Sequence, residues 1–250
     1  MHPDVLDLQR FYAESLGKLA QRHIRQRIRS FWPDLSGQSL LSLGYPLPYM
    51  RPFLGEAERL ALCLPAQQGA TYWPAEGRNL VTLVEETALP FEDASVDRIL
   101  MIHSLEVSSR QKDLLQEVWR ILKGNGRALI IVPNRRGVWA RFDHTPFGSG
   151  VPFSVGQMHP LLRACQLRPE REGYALFPPP VRRRMAMRAT PAWESLGQRF
   201  FPVFGGVVLV EASKQVFAPT APGRAQARHP LRIIPSPVGL QKARKGLIEG

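Results

Sequence analysis

The chain has 250 residues, with 33 Lys and Arg against 21 Asp and Glu and a formal net charge of +12. An apolar share of 44% beside 22% charged residues suits a folded protein and excludes disorder of the whole chain. Two cysteines, Cys63 and Cys165, exclude a disulfide framework and a four-cysteine zinc site. The longest apolar run, 200–210, is too short to span a bilayer and is interrupted by Pro202 and Gly205-Gly206, so no membrane span is expected. Asp4, Asp7 and Glu14 near the start do not suit a signal peptide, and a cytoplasmic protein is the expectation.

Asp4 to Ile28 reads as a helix, with Leu8, Phe11, Tyr12, Leu16, Leu19 and Ile24 on one apolar stripe and Trp32-Pro33 closing it. Ser39 to Leu43 is a short apolar strand ending in a sharp turn at Gly44. Tyr49 to Leu54 suits a short helix. Leu60 to Leu64, Leu80 to Val84 and Arg98 to His103 follow as strands. Arg110 to Leu122 is an amphipathic helix, with Gly124-Asn125-Gly126 suited to a left-handed cap. Ala128 to Val132 is wholly apolar, as in a strand covered on both faces. Val155 to Cys165 reads as helical despite Pro160, and Gly206 to Val210 is a last strand.

Strands alternating with helices predict an α/β protein with a mainly parallel sheet and helices on both faces. Ser39–Leu43 and Leu80–Val84 are expected inside that sheet. Ligands bind such sheets beyond the carboxyl ends of the strands, which points to Gly44-Tyr45, Pro65-Ala66, Glu85-Glu86, His103-Ser104 and Pro133-Asn134.

Charge divides the chain unevenly. Lys214 to Gly250 holds seven basic residues, one acid and five prolines, with little hydrophobic periodicity. A helical segment over 1–35, an α/β domain over 36–214 and a mobile basic tail over 215–250 are the expected divisions. Lys18 to Arg29 and Arg182-Arg183-Arg184 are further basic stretches. Such excess serves solubility, or it attracts nucleic acid or an acidic partner.

The segment Glu85-Glu86-Thr87-Ala88-Leu89-Pro90-Phe91-Glu92-Asp93-Ala94-Ser95-Val96-Asp97 resembles a signature of the class I S-adenosylmethionine-dependent methyltransferases of type 11. His103-Ser104-Leu105-Glu106 is similar to that family's turn after strand four. Gln116 to Arg127, with Glu117, Arg120 and Lys123-Gly124, is similar to its following helix end. The resemblance implies a Rossmann-like, seven-stranded sheet whose last strand, around Gly206 to Val210, is antiparallel. It also implies S-adenosylmethionine as cofactor and an acid at the position of Glu85 that accepts from the adenine amino group.

Two family features are missing. The first loop reads Leu41-Ser42-Leu43-Gly44-Tyr45-Pro46-Leu47-Pro48-Tyr49, with one glycine where the family has several and Ser42 in place of an acid. The second strand ends Leu62-Cys63-Leu64-Pro65-Ala66, without the carboxylate that grips the ribose. Each lost charged hydrogen bond is worth on the order of 1.5–3 kcal/mol. The expected cofactor-side residues are Gly44, Tyr45, Glu85, Glu86 and His103, with Tyr45 and Tyr49 either stacking on a ligand or filling space. Asn134 and Arg135 are the acceptor-side residues, and Asp143 and His144 the candidates for a general base. No set of His and Cys has metal-ligand spacing. The leading expectation is methyl transfer from S-adenosylmethionine to an unidentified acceptor, mostly by positioning donor and acceptor. The alternatives are the same fold without turnover, as a binding or regulatory subunit of a protein partner, and RNA binding through the basic tail.

Overall fold

The uninterrupted aliphatic runs of the sequence become the centre of one sheet. The computed structural model describes residues 3–180, 197 and 202–216. Its strands are β1 (Ser39–Gly44), β2 (Arg59–Pro65), β3 (Val81–Val84), β4 (Val96–Ile102), β5 (Leu122–Pro133), β6 (Leu167–Ala175) and β7 (Val207–Lys214). They lie in the order β3-β2-β1-β4-β5-β7-β6. The first five run parallel, and β7 is antiparallel to both β5 and β6.

Alternation of side chains sorts the strands' residues onto two faces. Leu40, Leu62, Leu64, Leu100, Ile102, Leu129 and Ile131 pack with α1 (Val5–Ala13) and α2 (Ser15–Phe31). Leu41, Leu43, Cys63, Ile99, Met101, Ala128 and Ile130 pack with α4 (Gln111–Ile121) and α5 (Val155–Ala164). The remaining helix, α3 (Leu47–Met50), is a single turn after β1. Ala128–Val132 is buried throughout, as expected for a doubly covered strand.

The structure corrects three expectations and adds an edge strand, β6, that the sequence did not show. The N-terminal helix is two helices, broken at Glu14, whose backbone is extended at φ −74°, ψ 162°. The break lets the end of α1 press on α2: a Cβ on Gly17 would sit 2.0 Å from the Phe11 carbonyl oxygen. Leu80–Val84 is not interior, because β3 is an edge strand paired only with β2, and Thr82 and Leu83 are exposed. Gly124-Asn125-Gly126 is no helix cap. Leu122 turns directly into extended backbone, and the glycines lie within β5. Strand β6 has no apolar signature because it is an edge strand whose charged residues face solvent. The expected tail lies outside the described residues from 217 onward, as does Arg182-Arg183-Arg184.

The segments that carry the family resemblance meet as a clamp. Arg120 of α4 donates to the carbonyls of Leu89 and Phe91 and to the carboxylates of Asp93 and Glu117. Glu117 in turn accepts from the Leu89 amide. Asp97, at the start of β4, accepts from the Ser39 amide and hydroxyl at 3.0 and 2.7 Å and from Lys123 at 2.8 Å. It thereby ties the starts of β1, β4 and β5 together.

Burial disfavours the Asp97 charge, but the bonds from Lys123 and Ser39 outweigh it and hold the carboxyl at about 2. A depressed carboxyl stabilises the fold above its unfolded value, about 3.9, and that contribution fades as pH falls toward 2. Asp97→Asn should therefore destabilise by about 1–3 kcal/mol at neutral pH. Urea unfolding at a series of pH values should show the gap to the unmodified chain closing between about pH 4 and pH 2.

Candidate functional site

Beyond the carboxyl ends of β1 and β4, where the topology directs a ligand, the structure places an aromatic cluster. Gly44 ends β1 at φ +94°, a conformation that suits glycine. Its bare face meets the next strand rather than open space: a Cβ would lie 2.1 Å from the Ile102 carbonyl oxygen and 2.8 Å from that of His103. The Tyr45 amide bonds the same Ile102 oxygen at 2.9 Å. Tyr45 and Tyr49 then turn inward and are 3% and 0% exposed.

Tyr12 of α1 completes the cluster. Its hydroxyl is 2.7 Å from the Tyr49 hydroxyl and 2.7 Å from His103 Nε2. Its ring stacks on Tyr45 with centroids 6.0 Å apart. His103 is buried at φ +52°, and its Nδ1 lies 3.5 Å from Glu106 Oε1. A carboxylate beside Nδ1 places the ring proton there and leaves Nε2 to accept. The chain of donation is then Tyr49 to Tyr12 to His103. Burial, reinforced by Tyr49, keeps the Tyr12 phenol protonated well above its usual range. Burial likewise pushes the Tyr45 phenol up to about 12. Phe147 packs edge-on to Phe11 and Trp139 and tilts over His103.

The other expected residues are distributed around this cluster. Glu85 is exposed and accepts from Thr87, and Glu86 accepts from Ser108. They share with Gln67 a void of about 10 Å³. That is room for one water at most. The amide nitrogen of Asn134 donates to Val203 and Gly205, and its oxygen accepts from the Arg136 amide. Asn134 therefore pins the loop after β5 to the segment before β7. Arg135 is exposed and donates to Pro152.

Asp143 and His144 do meet a cavity. It measures about 670 Å³ and is walled by Asp7, Leu8 and Phe11 of α1, by Gln67 after β2, and by the 143–149 loop. That volume is within the range of small-molecule sites. Sequence reasoning missed Gln67 and Gln68, which no motif marks. Gln68 is 1% exposed, and its amide has no bonded partner among the described residues. Sequence placed Tyr12 in the core correctly, but its place over β4 follows from tertiary packing alone. No group of His, Cys, Asp and Glu suited to a metal occurs among the described residues, and no described helix is long and apolar enough to cross a membrane.

Comparison with known proteins follows the fold. Residues 65–130 match the model of the methyltransferase domain family. An S-adenosylmethionine-dependent methyltransferase from Thermotoga maritima is similar in structure, with TM-score 0.59, 16% identity, and coverage of 84% of this chain and 96% of that one. A Haloferax volcanii chain solved in complex with the methyltransferase activator Trm112 has TM-score 0.58 at 15% identity, covering 83% and 96%. The [4+2]-cyclase SpnF has TM-score 0.51 at 16% identity, covering 79% and 82%. A search of curated protein sequences finds no match. The chain has the fold of the class I S-adenosylmethionine-dependent methyltransferase superfamily, and its residues 65–130 match that methyltransferase domain model.

The residues present do not fit that superfamily's cofactor. Tyr12, Tyr45, Tyr49 and His103 are buried over the ends of β1 and β4, and β2 ends in Leu64-Pro65 without a carboxylate.

Tyr12→Phe should destabilise by about 1–3 kcal/mol in urea unfolding, because it leaves buried His103 and Tyr49 without their shared partner. Removing the hydroxyl of an exposed tyrosine would change stability by less than about 0.5 kcal/mol.

Proposed function

We propose that this chain is a methyltransferase-fold binding protein. It takes a small ligand in the cavity beneath α1 and does not turn over S-adenosylmethionine at the ends of β1 and β4. The observation that carries this reading is the filled seat. One buried hydroxyl, on Tyr12, bonds both Tyr49 and His103 where a cofactor would lie. Two of the obstructing groups, Tyr45 and Tyr49, belong to the β1 loop itself and flank Pro46 and Pro48, so clearing α1 alone would not restore a small, flexible loop. The fold does not argue against such a role, since sites and not folds define function. A [4+2]-cyclase shares the architecture.

A second reading, methyl transfer to an unidentified acceptor, is favoured by one observation. Asp143 and His144 line a cavity that reaches Gln67, and Gln67 also borders the void beside Glu85 and Glu86. That reading requires Tyr12 to withdraw. A protein partner or activator is a further proposal, for which the Haloferax neighbour supplies an analogy only.

Calorimetric titration with S-adenosylhomocysteine distinguishes the two. The unmodified chain should show no binding at millimolar ligand, and neither should Tyr12→Ala. Micromolar binding by the unmodified chain would overturn the proposal. Binding gained only by Tyr12→Ala would favour the second reading, with α1 as a plug. Binding by either that is lost on Glu85→Ala would place the adenine where the family resemblance expects it.

A further inference from the structure

Helix α2 carries one row of positive charge along its outer face. Lys18, Arg22, Arg25 and Arg29 follow one another at spacings of four, three and four residues. With about 3.6 residues per turn, such positions share one stripe of a helix, here roughly 16 Å long. The opposite face is committed to the core: Leu16, Ala20, Ile24, Ile28 and Phe31 are each at most 5% exposed. Residues 15–31 include no acid.

Two features separate this row from ordinary surface charge. Several other described basic residues pair with a nearby acid, as in Asp7 with Arg10, Arg110 with Asp113 and Asp97 with Lys123. On α2, by contrast, like charges stand at i,i+3 and i,i+4, an arrangement that destabilises a helix. Arg29 is relieved by a two-pronged bond to Glu56 at 2.8 and 2.6 Å. Lys18, Arg22 and Arg25 form no ion pair among the described residues. Arg171, which also lies near α2, is committed to the helix end, donating to Ser30 and Phe31 and stacking on the Phe31 ring.

We propose that Lys18, Arg22 and Arg25 form a contact surface for a nucleic-acid backbone. A linear row of cations matches a linear polyanion, whereas a small anion needs convergent donors. An anionic membrane fits less well. A helix that binds a bilayer inserts its apolar face, and the apolar face of α2 is already buried. Contact through phosphates alone gives binding without sequence preference and with steep salt dependence. This inference is independent of what fills the seat at β1 and β4.

The test uses the full chain and fluorescein-labelled single-stranded RNA of about 20 nucleotides, titrated by anisotropy at several salt concentrations. The unmodified chain should bind, with log affinity falling linearly against log salt. A Lys18→Gln, Arg22→Gln, Arg25→Gln triple variant should bind at least about tenfold more weakly at low salt, and its slope should be shallower by about 2. Its melting temperature should not fall, since the substitutions relieve repulsion. Arg22→Lys combined with Arg25→Lys should retain the slope. Absence of RNA binding by the unmodified chain would overturn the proposal, as would a triple variant with the unmodified slope. So would binding to phosphatidylserine vesicles that depends on the three residues while RNA is ignored.

Discussion

The hydroxyl of Tyr12 sits where two constraints meet. Buried polar groups require partners. Here one oxygen serves two residues from different elements, Tyr49 after β1 and His103 after β4. Withdrawing it would leave the Tyr49 hydroxyl and His103 Nε2 unpartnered in a dry environment. The short helix α1 is thereby fixed across the ends of the central strands, and the cavity beneath it takes its shape from Leu8 and Phe11 on that same helix. His103 contributes from a left-handed backbone that aims its ring at Tyr12, and Glu106 sets which ring nitrogen accepts. The folded arrangement of this edge depends on that hydroxyl.

The most specific sequence motif turns out to serve the scaffold. Its Leu89, Phe91 and Asp93 are gripped by Arg120, and Asp97 joins three strand starts. In this chain these acids and carbonyls hold the scaffold together, whether or not a cofactor binds. Retention of the motif therefore speaks for the fold and is neutral on chemistry. The positions that would report on the cofactor lie elsewhere, at Gly44-Tyr45 and at Leu64-Pro65, and those are the ones that depart from the family.

The parallel strands and α4 were legible because their apolar periodicity survives in a doubly covered sheet. Edge elements were not. β6 is charged on its exposed positions, and β3 reads as apolar although it has solvent on one side. The break at Glu14 was hidden because α1 and α2 keep one apolar stripe across it. At the site, the sequence narrowed attention to the right strand ends, and it offered space-filling as one role for Tyr45 and Tyr49. It placed Asn134 on the acceptor side, whereas the structure commits its amide to Val203 and Gly205. Contacts between residues 12 and 103, or 134 and 205, are consequences of tertiary packing, and no local pattern encodes them.

The basic face of α2 and the closed edge of the sheet lie on one helical pair but make separate demands, one on surface charge and one on buried polarity. The proposed absence of S-adenosylmethionine turnover rests on the second. A crystal structure of the full chain grown in millimolar S-adenosylhomocysteine tests it most directly. The Tyr12 hydroxyl should lie within hydrogen-bond distance of both Tyr49 and His103, with no ligand over Gly44. Ligand density over Gly44, with Tyr12 displaced and an adenine beside Glu85, would contradict it.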